Sequence, residues 1–314
     1  MAHSTVTDAM REEAADAAPT PTVERTGPSR QALVIRAEVV IALGLLIYAP
    51  ILYHLVQHWR HVADYSHGFL IVPLALYFAW ERRDKLARVA IEPSWWGLVP
   101  LTLGLLSLTI GRLGVELMAM RVGFVLTLIG LVGLLLGLRV LRLLLFPLLF
   151  LFLMIPLPQS LVNTVAFPLQ LVAAQLAVEI MHWLGVPVLL EGNIIHLPHT
   201  SLFVAEACSG LRSLMALITL GVVFAYFFRR HWAERLIIVA SAIPIAILVN
   251  AIRVALTGIL TARFGNEAAG GFVHDFQGVI TFSVAFVLLL AEARLLARFG
   301  PARWRSARTR RPVE

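Results

Sequence analysis

A bilayer core takes about 20 apolar helical residues to cross, and this chain supplies such runs repeatedly. Residues 34–56, 67–81, 95–111, 117–138, 141–158, 208–228, 235–262 and 272–297 are each predominantly apolar. So many runs cannot be hidden in one soluble core. The pattern predicts an all-α polytopic membrane protein with about eight transmembrane helices. Composition agrees: 59% of residues are hydrophobic and 14% charged, where soluble domains carry about 25% charged residues. Mean hydropathy is +0.82. A soluble enzyme, a disordered chain and a disulfide scaffold are excluded. A nucleic-acid binder is excluded too, because basic residues in so apolar a chain mark cytoplasmic loops. Cys208 is the only cysteine, so no internal disulfide forms.

The basic residues also set the orientation. With the N-terminus in the cytoplasm and eight spans threaded, 20 of the 26 Lys and Arg fall on inner segments. The others are Arg60, Arg112, Arg121, Arg212, Arg253 and Arg263. Both termini are therefore expected in the cytoplasm. Residues 1–32 are polar and without apolar period, and read as a disordered cytoplasmic tail. Residues 33–298 form the membrane domain, and 299–314 a basic cytoplasmic tail. No cleavable signal peptide is expected before the first span. Gly130, Gly133 and Gly137 give the small-residue spacing of close helix packing.

Residues 159–207 depart from the pattern. Residues 160–184 are apolar but broken by Asn163, Pro168, Gln170, Gln175, Glu179 and His182. A re-entrant or interfacial helix fits better than a ninth span, which would put every later basic loop outside. Val188 to Leu190 and Ile194 to Leu197 flank the turn signal Glu191-Gly192-Asn193. They predict a small β-hairpin on the outer face, followed by a short extended run from Leu202 to Val204.

Ionisable groups inside spans are costly and are functional candidates by default. Asn250, Arg253 and Thr257 are spaced i, i+3, i+7 and share one helix face in the outer half of the seventh span. His274, with Gln277, opens the eighth span from outside, and Cys208 opens the sixth. Three reactive side chains thus converge on the outer leaflet. At a helix start, Cys208 is favoured as a thiolate, and a Cys–His pair is nucleophilic chemistry. Glu206 and Asp275 are candidate partners for Arg253. Arg212, four residues after Cys208, is a second anion-stabilising candidate. His54, His58 and His61, at i, i+4, i+7, read as an interfacial belt rather than a metal site. No cofactor and no metal is expected.

Two other readings are open from the residues. A transporter or channel would line a pathway with Arg253 and His274, but no internal repeat is seen and the polar groups cluster to one side. A non-catalytic component of exopolysaccharide export would leave Cys208 dispensable.

The runs EACSGLRSL (206–214), Asn250-Ala251-Ile252-Arg253 with Thr257-Gly258, and GFVHDFQGVITF (271–282) resemble the exosortase/archaeosortase family of multispanning membrane transpeptidases. Tyr65-Ser66-His67-Gly68 and the EGN…LP stretch (191–198) look like bacterial exosortases. The resemblance covers roughly residues 40–295. It implies Cys208, Arg253 and His274 as catalytic residues; Glu206, Arg212, Asn250 and Asp275 stand beside them as supporting candidates from their positions alone. The implied substrates are exported proteins ending in a Pro-Glu-Pro-like motif (PEP-CTERM), a transmembrane helix and a basic tail. The implied reaction is cleavage near the motif on the periplasmic face of a bacterial inner membrane, then transfer to a cell-surface acceptor. As the chain ends soon after the eighth span, the C-terminal domain fused to some exosortases is expected to be missing. Neither the acceptor nor the oligomeric state is legible.

Overall fold

The structure, a computed structural model, describes residues 30–198, 200–204, 210–228, 231–265 and 271–299. The expected tails, 1–32 and 299–314, fall almost wholly outside them. Ten helices and one small sheet are described: α1 (Arg30–His61), α2 (Gly68–Trp80), α3 (Arg83–Arg88), α4 (Leu98–Leu113), α5 (Leu117–Leu136), α6 (Leu138–Phe150), α7 (Gln159–Trp183), β1 (Leu189–Glu191), β2 (Ile194–Leu197), β3 (Thr200–Phe203), α8 (Gly210–Phe228), α9 (Trp232–Phe264) and α10 (Gly271–Phe299). The chain is a polytopic all-α membrane protein with a small three-stranded sheet.

Among the described residues, six helices are long and apolar enough to cross a membrane. They are Gln31–His61, Trp95–Leu113, Leu117–Leu136, Gln159–Trp183, Trp232–Phe264 and Phe276–Leu296, with Ser213–Phe227 a shorter apolar helix. This departs from the expected eight. The runs at 67–81 and 141–158 yield helices of only 13 residues each, about 20 Å long. α2 is followed directly by Glu81, Arg82 and Arg83. α6 gives way to a 3-10 turn at Leu151–Met154, just before Pro156 and Pro158, which lack the N–H a continuing helix needs. Conversely, Gln159–Trp183, expected to be interfacial, matches the others in length and apolarity.

In the first half, α4 and α5 pack along a seam of glycines. A Cβ on Gly104 would lie 2.6 Å from the backbone N of Thr127, and one on Gly123 would lie 2.7 Å from the carbonyl O of Gly104. A Cβ on Gly130 would collide with Leu101. The two backbones meet directly, as the small-residue spacing predicts. α1 lies across α5, and the Tyr48 hydroxyl pairs with the Thr127 hydroxyl at 2.9 Å. Trp59 Nε1 donates to the Met154 carbonyl at 3.0 Å, tying α1 to the turn after α6.

α8 joins the halves. Near its C-terminus the Tyr226 ring lies 4.6 Å from Phe78 and 4.5 Å from Phe146. Its hydroxyl donates to Glu81 at 2.8 Å, and the Arg82 guanidinium sits 5.4 Å over the ring. α8 also packs against the 3-10 turn Ala63–Tyr65 that precedes α2. Tyr226 is beside the far end of α2, so this second contact falls in the first turns of α8.

The second half is built around α9. Leu214, Leu217, Ala242, Ala246, Val249 and Ala285 form one cluster, and Phe224, Ile238, Leu289 and Ala293 another. α8 and α10 therefore both run antiparallel to α9, and α8 begins about level with Asn250. α9 continues to Phe264, about 21 Å further. α7 runs parallel to this extension: Ala166 and Leu169 share a cavity with Ala246 and Asn250, while Met181 lies against Gly258. The sheet closes over both, with Ile195, Leu197 and Val204 packed among Ala177, Met181 and Val254. β1 and β2 pair antiparallel through a two-residue turn in which Gly192 takes φ 61, the place for glycine in a type II′ turn. The predicted hairpin is present. The extended run after it pairs as a third antiparallel strand, with Ile195 opposite Leu202.

Gly104→Leu should break the α4–α5 seam, since a backbone cannot retreat as a side chain can. We expect a loss of at least the ~1–3 kcal/mol typical of overpacking, read as a lower thermal midpoint in detergent. Leu105→Ala, at an outward position of the same helix, should change it little.

Candidate functional site

Arg253 lies at the base of the projecting part of α9 and is 4% exposed. Burial of a guanidinium here follows from the helix face predicted for it: Asn250, Arg253, Thr257 and Thr261 are all buried and all turn toward neighbouring helices. A cavity of about 10 Å³, near the size of one water, is lined by Ser213 and Leu217 of α8, Asn250 and Arg253 of α9, and Thr281 and Ala285 of α10. A second, of about 30 Å³, touches Asn250 from the α7 side. Three helices thus meet around Asn250 and Arg253, and α7 covers the fourth side.

The α9–α10 seam is polar. Thr257 Oγ1 is 2.9 Å from the Arg253 carbonyl O and 2.8 Å from the Gln277 amide. A hydroxyl has one proton to give. It goes to the carbonyl, and the amide fits best with its NH₂ turned to donate to Thr257. One turn on, Thr281 Oγ1 donates to the Gln277 carbonyl at 2.7 Å. An ideal Cβ on Gly278 would lie 3.8 Å from Nη2 of Arg253, so the glycine leaves α10 flat where the guanidinium meets it. Gln277, Gly278 and Thr281 therefore define the face that α10 turns to α9.

Of the sequence-predicted residues, the structure brings Asn250 and Arg253 together. His274 and Asp275 lie in the first turn of α10, with side chains outside the described residues. In sequence His274 stands three residues before Gln277 and four before Gly278. Arg212 lies in the first turn of α8, its side chain also outside the described residues. Cys208 and Glu206 lie outside them altogether; α8 begins two residues after Cys208. Ser213, Thr261 and Thr281 escaped sequence reading. Thr261 follows Thr257, and Thr281 follows Gln277, by four residues, and extending each polar face one turn would have found them.

The histidine-rich end of α1 holds no metal geometry. His61 Nδ1 bonds back to the Gln57 carbonyl at 2.8 Å, while His58 turns to Tyr65, ring centroids 5.2 Å apart. Among the described residues no three His, Cys, Asp or Glu side chains could hold a metal ion.

No curated protein and no solved structure matches the chain. A family model does: that of the transmembrane exosortases matches residues 59–291. That stretch holds both halves of the fold, the sheet, the Asn250–Arg253 junction and the start of α10. The chain belongs to the transmembrane exosortase family.

Proposed function

We propose that the protein is a membrane cysteine transpeptidase. It cleaves the C-terminal sorting signal of exported proteins, a Pro-Glu-Pro-like motif before a transmembrane helix and basic tail, and passes them to a cell-surface acceptor. The observation that carries the reading is the buried Arg253 at the junction of α8, α9 and α10. A permanent cation in that position serves a developing or resident anion. α8 follows Cys208 in sequence, and His274 precedes by three residues the Gln277 of α10 that meets Thr257. The family match supports a membrane enzyme.

The chemistry follows from the side chains. The Cys208 thiolate attacks the scissile carbonyl carbon, and a C–S bond forms as the carbonyl electrons move to oxygen. Arg253 stabilises that oxyanion, with Arg212 as a second cation. As the oxyanion collapses the C–N bond breaks, and His274 gives its proton to the departing amine. The thioester keeps the energy of the peptide bond for transfer. An acceptor then attacks, losing its proton to His274, and the thiolate is released. Asn250 positions Arg253, while Glu206 and Asp275 set the charge around the cation and the imidazole.

The topology in this reading has eight crossings, both termini in the cytoplasm and the site facing the periplasm of the inner membrane. α7 is the interfacial helix. Its support is the sequence of α7, whose apolar run is broken by Asn163, Pro168, Gln170, Gln175, Glu179 and His182.

Cys208→Ala should abolish processing of a tailed substrate while the protein still inserts, because it removes one small sulfur at a cost of about 1 kcal/mol. Normal processing by a stably accumulating variant would remove the cysteine mechanism. Arg253→Lys keeps the charge but loses the planar fork; turnover should fall on the order of 10²–10³-fold. Near-normal turnover would transfer the anion-stabilising role to Arg212. His274→Ala should slow acylation by amide substrates far more than by thioester analogues, whose leaving group needs no proton. Equal losses in single-turnover acylation would contradict the general-acid role.

A further inference from the structure

A second buried arginine stands apart from the Arg253 junction. Arg121, about one turn into α5, is 4% exposed, and its Nε has no hydrogen-bond partner. Among the described residues no carboxylate lies within ion-pair distance of it. Glu116, the nearest acid in sequence, caps α5, accepting from the Ala119 N–H at 2.5 Å, and acts on Arg121 only through its field. His58 of α1 and Tyr65 of the 3-10 turn stand near enough to feel the Arg121 charge. His58 Nε2 is likewise buried without a partner. The Tyr65 hydroxyl reaches only the Leu157 carbonyl, at a long 3.5 Å. Burial pushes the Tyr65 phenol up, against a smaller lowering by Arg121, so it remains a donor. An unserved guanidinium Nε, an unserved imidazole nitrogen and a weakly engaged phenol thus gather at one place.

Beside this cluster lies a groove of about 670 Å³ between α1, α2, α5 and α6. Its walls are apolar throughout, including Leu45, Trp59, Phe69, Leu76, Phe124 and Leu148. Trp59 and Phe124, which border its outer end, are one and three residues from His58 and Arg121. Along α1 the groove runs from Ile41 to Trp59, about 27 Å. That nearly matches the ~30 Å of a whole hydrocarbon core. A single lipid chain spans one leaflet, about half of it. The fork of one guanidinium fits the planar carboxylate better than a phosphate with three free oxygens.

The geometry points to a docking site for a transmembrane helix of another polypeptide, seated in the α1–α2–α5–α6 groove, with an acidic residue just outside that helix held by Arg121, His58 and Tyr65. This rests on the proposed function, in which such a tailed protein is the substrate, and assigns where the tail sits. The 3-10 turn carrying Tyr65 packs on the first turns of α8, so a segment leaving the cluster is delivered to the helix that follows Cys208.

The test is photocapture by the full chain in phosphatidylcholine vesicles. A photoreactive residue replaces Leu76 in the groove or, as control, Leu103, an exposed position of α4 outside it. The probe is a synthetic peptide of about 20 Leu and Ala residues, with Glu or Gln at its outer end. We expect capture at Leu76 and not at Leu103, with the Glu peptide preferred on the order of tenfold or more. Arg121→Gln should erase the preference without erasing capture. If that variant fails to accumulate, Arg121→Lys should reduce the preference severalfold. Equal capture at both positions, or no Glu preference in the unaltered chain, overturns the proposal. Loss of the preference when phosphatidylglycerol replaces phosphatidylcholine also overturns it, and makes the cluster a lipid-headgroup site. The readout needs no cleavage and should survive in Cys208→Ala, so failure of the cysteine chemistry and failure of docking are told apart.

Discussion

A helix of 33 residues is about 50 Å long, while the hydrocarbon it crosses is about 30 Å thick. The excess of α9 governs the architecture around it. Beyond the level of Asn250, α8 no longer covers the helix, so its remaining turns need another coat. The C-terminal part of α7 and the three-stranded sheet supply it, burying Val254 and Ala255 completely. The junction where cover by α8 gives way to cover by α7 and the sheet is also where Arg253 sits. A guanidinium is tolerable there because three helices and α7 surround it with amides, hydroxyls and carbonyls rather than acyl chains.

The polar seam between α9 and α10 has a second effect. The interhelical hydrogen bond between Thr257 and Gln277, with Gly278 flattening the contact, holds the two helices in register. In a membrane, where apolar faces gain little by meeting one another, such polar and close-backbone contacts set which helix lies beside which. The glycine seam of α4 and α5 does the same in the first half by shape alone, and the Tyr226 cluster fastens the two halves.

Much of this was legible in the sequence, for identifiable reasons. The 3.6-residue period put Asn250, Arg253 and Thr257 on one face, and that face is buried as expected. Glu191-Gly192-Asn193 announced the hairpin, because a tight turn demands glycine's backbone. Hydropathy counts apolar residues and not where a helix stops, so the 141–158 run passed Pro156 and Pro158, whereas the helix gives way to a 3-10 turn at Leu151–Met154. Nor does it tell an apolar face pressed against protein from one pressed against lipid, so the cover of the end of α9 by α7 and the sheet was not legible in residues 235–262. The burial of Arg121 had no periodic signal, for it depends on α1 and a 3-10 turn far away in sequence.

The α4–α5 seam has a consequence for how the chain is made. The two helices are joined by only Gly114, Val115 and Glu116, and they meet through backbone atoms with few rotamers to freeze. Contacts so local in sequence close quickly, because little loop entropy is lost. During synthesis the pair can dock as soon as Leu136 has entered the bilayer, before any of α6 to α10 exists. α1 then finds a finished surface to lie across, while α9, whose partners lie on both sides of it in the chain, must wait for the last helix.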